Sequence, residues 1–251
     1  MEINLKRTPR LYVDQPLGLD QAIALSPDQG HYLGRVMRLS AQDHVRIFNG
    51  EHGEWLCTIE QISKRGALVI GTEKISEAQT LPDVDYLFAP LKTARLDYMA
   101  QKATEMGAGR IRPVITEFTQ GKRFKFDRLV ANTIEAAEQC NLVCLPQVLE
   151  PVKLPAVIRD WDGTRQLIFC DESAQSSSPI EIISKFKGQP TALLIGPEGG
   201  FSEREREMLL SQPFVTAISL GPRIMRADTA AVAALALVQA TIGDWQSSNR
   251  S

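Results

Sequence analysis

Two glycine loops near the end of the chain hold the residues whose types and spacing could do chemistry. The first, Gly196, Pro197, Glu198, Gly199 and Gly200, follows an apolar run at 192–195. The second, Gly221, Pro222, Arg223, Ile224, Met225 and Arg226, follows another at 215–220. Clustered glycines after a buried strand suit a backbone that takes positive φ or lets a ligand approach closely, and Pro197 stiffens its turn. Ordinary strand-to-helix turns are the alternative for both loops. Glu198 and Asp228 are the carboxylates at hand to accept a proton, and Arg226 is a guanidinium able to hold an anion or to pair with Asp228 for structure.

Each loop needs a strand before it and a helix after it. Ser202 with Glu205 reads as a capping box that starts a helix after the first loop. After the second, residues 229–238 are alanine-rich and apolar on nearly every face, which predicts burial on several sides. Upstream, strands at 84–89, 111–115 and 166–170 alternate with helices. One helix has Leu96, Met99, Ala100, Ala103 and Met106 on one face and ends at Gly107; another covers 127–139, and 147–149 is extended. This order predicts an α/β domain with a mainly parallel sheet over residues 84–251. The polar stretch 76–83, SEAQTLPD, reads as a linker.

Residues 1–75 read as short strands. Val45 and Ile47 alternate with polar residues, Asn49-Gly50 signals a hairpin, and Trp55, Cys57 and Ile59 carry the same period back. Another strand, 67–70, follows the Lys64-Arg65-Gly66 turn. One short helix has Ser26 as its cap, Pro27 in its first turn and an apolar face of Tyr32 or Leu33 with Val36 and Met37. Strands around one helix suggest a small β-barrel.

Composition narrows the function. The three histidines, His31, His44 and His52, lie far from the glycine loops in sequence, so a Ser-His-Asp hydrolase site lacks its base. No GxGxxG follows the first α/β strand and no GxxxxGK[ST] occurs, which counts against Rossmann and P-loop nucleotide sites. Cys57, Cys140, Cys144 and Cys170 have no partners at metal-binding spacing and read as buried free thiols. The lack of a long apolar run or a signal-peptide core leads us to expect a cytoplasmic protein without a membrane partner.

A net charge of −2 means that a nucleic-acid partner must be held by local patches. Lys6, Arg7, Arg10, Arg35 and Arg38 form one candidate, although nine basic and nine acidic residues balance over 1–75 and solvated surface charge is the alternative. A second is GKRFKFDR, residues 121–128, where Lys122, Arg123, Lys125 and Arg128 flank Phe124 and Phe126. Such a pattern can bind phosphates and stack bases, or the phenylalanines can simply anchor the loop.

The segments LLIGPEGGFS (193–202) and SLGPRIMRADTAA (219–231) resemble the signature loops of the RsmE family, the bacterial 16S rRNA uridine N3 methyltransferases of the SPOUT class. The similarity continues through HYLGRVMR (31–38), QKATEMGAGRIRPVITE (101–117) and AAEQ (136–139). This resemblance implies a SPOUT-type parallel sheet with a C-terminal trefoil knot, preceded by a PUA-like β-barrel that binds RNA. It further implies S-adenosyl-L-methionine as cofactor, 16S rRNA of the small ribosomal subunit as partner, and a homodimer. Packing rules alone predict an unknotted sheet.

Carried over residue by residue, the cofactor loops are Leu194, Ile195, Gly196, Pro197, Glu198, Gly199 and Gly200 with Ile218, Ser219, Leu220, Gly221, Ile224 and Met225. Asp171 and Glu172, in the serine-rich loop 171–179, are weaker candidates for a wall of the same site. Arg226 is implied to hold charge developing on a uracil oxygen or to orient the base, and Asp228 or Glu198 to take the proton. The chain departs from the family in three places. Asp228 stands where glutamate is usual, Phe118 where arginine is common, and Cys140-Asn141-Leu142-Val143 lacks the arginine that usually follows AAEQ. The rival readings are a SPOUT 2′-O-ribose methyltransferase, whose Asn-x-Ser motif is missing here, and a non-catalytic RNA-binding or ribosome-assembly factor.

Overall fold

The computed structural model describes residues 3–120, 124–175 and 178–246, apart from the side chain of residue 93. The chain divides into two compact units, one running to Thr80 and including Ala137–Leu145, the other made of Leu81–Ala136 and the rest.

The first unit is a five-stranded sheet in the order β1 (Arg10–Tyr12), β3 (His44–Asn49), β4 (Gly53–Ser63), β5 (Gly66–Ser76), β2 (Ala22–Leu25). Val45, Ile47, Cys57, Ile59 and Val69 alternate inward and are fully buried. Helix α1 (Pro27–His31) has the Ser26–Gln29 capping box and proline in its first turn. Its Gly30 lies against the β4–β5 turn so closely that a Cβ would sit 2.5 Å from the Gly66 carbonyl carbon. A π turn, Tyr32–Val36, follows, and the wider i→i+5 spacing, with Met37 N–H donating to Tyr32 O, changes which residues face inward. Leu33 is buried, but Val36 and Met37 are exposed, which corrects the apolar face expected from sequence.

Segment 137–145, assigned to the second domain by sequence, packs in the first unit. Arg10 donates to the carbonyls of Ala137 and Leu142 at 2.6 Å each, and Glu138 accepts the Tyr12 N–H at 3.0 Å.

The second unit contains β6 (Val84–Phe88), α2 (Thr93–Glu105), β7 (Arg110–Ile115), α3 (Phe126–Gln139) as far as Ala136, β8 (Gln147–Val148), β9 (Val152–Lys153), α4 (Leu154–Arg159), β10 (Gln166–Cys170), α5 (Pro179–Ser184), β11 (Thr191–Ile195), α6 (Glu203–Leu210), β12 (Val215–Ile218) and α7 (Ala227–Thr241). Its sheet runs β12-β10-β11-β6-β7-β8, with β9 beside β7, and every pairing is parallel. Both faces are covered, so β11 is buried at all five positions and shows no alternation in its sequence. Tyr86, Phe88, Ile168, Leu193 and Ile195 pack with Met99 of α2, Ile183 of α5 and Leu235 of α7. Leu87, Leu167, Phe169 and Leu194 pack with Leu154 of α4 and Leu209 of α6. From β10 the chain goes to β11 on one side and then to β12 on the other. A parallel sheet opens a crevice at the carboxyl ends of its strands where the order reverses in this way.

Candidate active site

The loops after β10, β11 and β12 enclose a cleft of about 210 Å³, far more than a single water requires. Residues 195–200 and 218–221 line it, with Ile224 and Met225. Its glycines are needed for two different reasons. Gly200 and Gly221 have φ of +70° and +114°, which side chains rarely tolerate. Gly196 has no room: an added Cβ would lie 2.5 Å from the ring of Phe201, which stands edge-on to Phe169.

The wall formed by Gly199, Gly200 and Phe201 is fixed from below. Ser202 and Glu205 form the expected capping box at the start of α6. Glu205 is buried, and its second oxygen accepts the Glu117 N–H at 2.9 Å, joining the turn after β7 to the glycine loop. At the end of β10, Asp171 lines the cleft with one carboxylate oxygen on Arg206 Nε at 2.8 Å and the other on the Ser173 N–H at 3.0 Å. It is buried and ion-paired rather than a solvated loop charge, whereas Glu172 is exposed on the lining. Burial pushes the Cys170 thiol up, so it lines the cleft as a neutral group.

Leu194, expected from sequence beside a cofactor, is fully buried in the opposite layer against Leu209, because successive strand residues face opposite sides. Arg226 is the exposed N-cap of α7; its neighbours Met225 and Ala227 line the cleft. Asp228 is not paired with Arg226. Both carboxylates instead face Arg95, which sequence reasoning missed: Arg95 Nη1 is 3.0 Å from Glu198 Oε1, and its Nε is 3.8 Å from Asp228 Oδ2. Because β6 pairs with β11, the start of α2 lies beside the first glycine loop, and only the strand order could have revealed this.

Of the candidate RNA contacts, Arg7, Arg35, Arg38 and Lys125 are exposed, and Lys122 and Arg123 lie outside the described residues. Arg10 is corrected. It is buried over the Phe48 ring, with its donors taken by Glu54, Ala137 and Leu142, and no phosphate can reach it. Phe124 packs against the core of the second unit, the anchoring alternative. Cys57 is buried as expected, but Cys140 is exposed. Among the described residues there is no metal-binding cluster, and no helix is long and apolar enough to cross a membrane.

Comparison with known proteins agrees with this architecture. Residues 78–239 match the family described as RNA methyltransferase domain, and residues 25–70 match the RNA methyltransferase PUA domain. Ribosomal RNA small subunit methyltransferase E of Rickettsia conorii is 31% identical over 92% of this chain and 94% of its own length. A Legionella pneumophila protein described as a methyltransferase, solved with the bound cofactor SAM, is 31% identical with a TM-score of 0.82, over 95% of this chain and 99% of that one. Ribosomal RNA small subunit methyltransferase E from Neisseria gonorrhoeae, bound to S-adenosyl methionine, shares the fold at a TM-score of 0.83 and 23% identity, over 96% of this chain and 100% of that one. The chain belongs to the RsmE family of RNA methyltransferases, with a parallel-sheet RNA methyltransferase domain preceded by a PUA-like domain.

Proposed function

We propose that the protein methylates N3 of a specific uridine in 16S rRNA of the small ribosomal subunit, using S-adenosyl-L-methionine. The observation that carries this reading is the cleft at the carboxyl ends of β10, β11 and β12, in a chain of this family.

The cleft fits such a cofactor. Backbone N–H and C=O groups of the two glycine loops offer donors and acceptors to an adenine edge, and Ile218, Leu220 and Met225 supply apolar walls. Asp171, held by Arg206, is an acceptor for hydroxyl groups. Once bound, the cofactor supplies an electrophilic methyl group on a sulfonium. The protein's part is then to hold the uracil in line with that methyl group and to remove the N3 proton, and alignment alone can account for much of the acceleration. Glu198 and Asp228 are the carboxylates available as acceptor, and Arg226, at the edge of the lining, is a donor for a uracil oxygen.

By the same reading the sheet is threaded as a trefoil knot, residues 1–75 with the returning segment 137–145 act as the RNA-binding domain and the rest of 84–251 as the catalytic domain, and Arg7, Arg35, Arg38, Lys122, Arg123 and Lys125 contact RNA. The enzyme works in the cytoplasm as a homodimer. Val232, Ala236 and Leu237 of α7 are only half-buried within one chain, which suits an apolar interface. The test is transfer of labelled methyl from S-adenosylmethionine to small-subunit particles lacking the modification, with large-subunit particles as control. Label confined to the small-subunit RNA supports the reading; label absent from it, despite cofactor binding, refutes it.

A further inference from the structure

Sequence put forward Arg226 as the guanidinium of the site, but the arginine that engages both candidate carboxylates is Arg95. We propose that Arg95 is a positioning residue that divides the work between them, anchoring Glu198 and presenting Asp228 as the acceptor of the base proton. This rests on the reading of the cleft as a uridine methylation site.

The two contacts differ in kind. Arg95 Nη1 donates a charge-assisted hydrogen bond to Glu198 Oε1 at 3.0 Å, while Asp228 Oδ2 stands 3.8 Å from Nε, close enough for attraction but too far for a hydrogen bond. The other oxygen of Asp228, Oδ1, accepts the Thr229 N–H at 2.8 Å within the first turn of α7. Asp228 is thus oriented from two sides, and among the described residues Oδ2 accepts no hydrogen bond. Its side chain is 20% exposed against 33% for Glu198, so it is also the more sheltered of the two. The three side chains come from the loop after β11 and the first turns of α2 and α7. In the step assigned to Asp228, the N3–H bond of uracil breaks with its electron pair left on N3, and the proton forms an O–H bond at Oδ2. Arg95 stays bonded to Glu198 throughout and keeps that carboxylate out of the reaction.

The test compares single-turnover methyl transfer, cofactor affinity by calorimetry and thermal stability in Arg95→Ala, Arg95→Lys, Asp228→Asn and the Arg95→Ala/Asp228→Asn double variant. We expect Arg95→Ala to slow transfer about tenfold to a hundredfold, a part of what a general base contributes, with cofactor affinity held within about threefold. Arg95→Lys, which keeps the charge, should recover at least about a third of the rate. The double variant should be slower than Asp228→Asn by no more than about twofold, because both substitutions remove one function. A rate for Arg95→Ala within about twofold of the parent, or penalties that multiply in the double variant, overturns the proposal. If Arg95→Ala does not fold, Arg95→Gln takes its place with the same thresholds. A parent protein that binds cofactor but methylates no small-subunit RNA overturns the functional reading and this proposal together; an active parent with indifferent Arg95 variants overturns this proposal alone.

Discussion

The ring of Phe201 occupies the place of a Gly196 side chain: a Cβ added to Gly196 would lie 2.5 Å from Phe201 Cε2 and 3.0 Å from Cδ2. The ring is backed by Phe169 at a centroid distance of 5.0 Å, so it has little room to yield. Gly196→Ala should push the ring and its loop into the cleft. The overpacking should weaken S-adenosylmethionine about tenfold to a hundredfold, measured by calorimetry, while far-UV circular dichroism is retained. Unchanged affinity would mean that the loop does not shape the cofactor site.

How much of this was legible in the sequence depended on how local the determinant was. The Ser26 cap and the Ser202–Glu205 capping box are each encoded within a few consecutive residues, and both form in the structure. The alternation of Val45 and Ile47 is likewise local and correctly gives the buried face of the first sheet. Leu194 was misread because a strand covered on both faces carries no alternation to tell one side from the other. Arg95 and Arg10 depend on chain segments far apart, the β6–β11 pairing in one case and the return of 137–145 in the other. No periodicity encodes either.

Glu54 is enclosed by two guanidinium groups, Arg10 Nε at 2.9 Å and Arg46 Nη1 at 3.1 Å, with side-chain exposures of 5%, 3% and 14%. Removing its charge leaves both cations buried and underpaired. Glu54→Gln should cost roughly 3 kcal/mol or more in urea unfolding. Arg10→Ala should also destabilise the fold but leave the salt dependence of RNA binding as it was. Arg35→Ala and Arg38→Ala should keep stability within about 0.5 kcal/mol. If these arginines hold phosphates, each substitution should lower the salt slope by about one. A reduced slope for Arg10→Ala alone would reverse this assignment.

Burial pushes the Cys57 thiol up to about 12, and the Cys170 thiol is raised as well. Both stay protonated in the folded protein at pH values where an unfolded thiol, near about 8.5, ionises. Above that pH the unfolded state binds fewer protons than the folded one, so stability falls as pH rises. The contribution is fully present below about pH 8.5 and declines by about 1.4 kcal/mol per pH unit for each thiol above it, until the folded thiol itself ionises. Urea midpoints between pH 8 and 10 should shift less in a Cys57→Ala variant than in the parent. A thiol reagent at pH 8 should label exposed Cys140 well before Cys57 or Cys170. Rapid labelling of Cys57 in the native protein would contradict its burial.

The most direct test of the central claim is identification of the methylated nucleoside. Small-subunit particles lacking the modification are incubated with the protein and labelled S-adenosylmethionine, the 16S rRNA is digested, and the labelled nucleoside is compared with standards by mass spectrometry. The account predicts one product, N3-methyluridine, from a single uridine position. Label on a ribose 2′ oxygen, or on any base other than uracil, would contradict it.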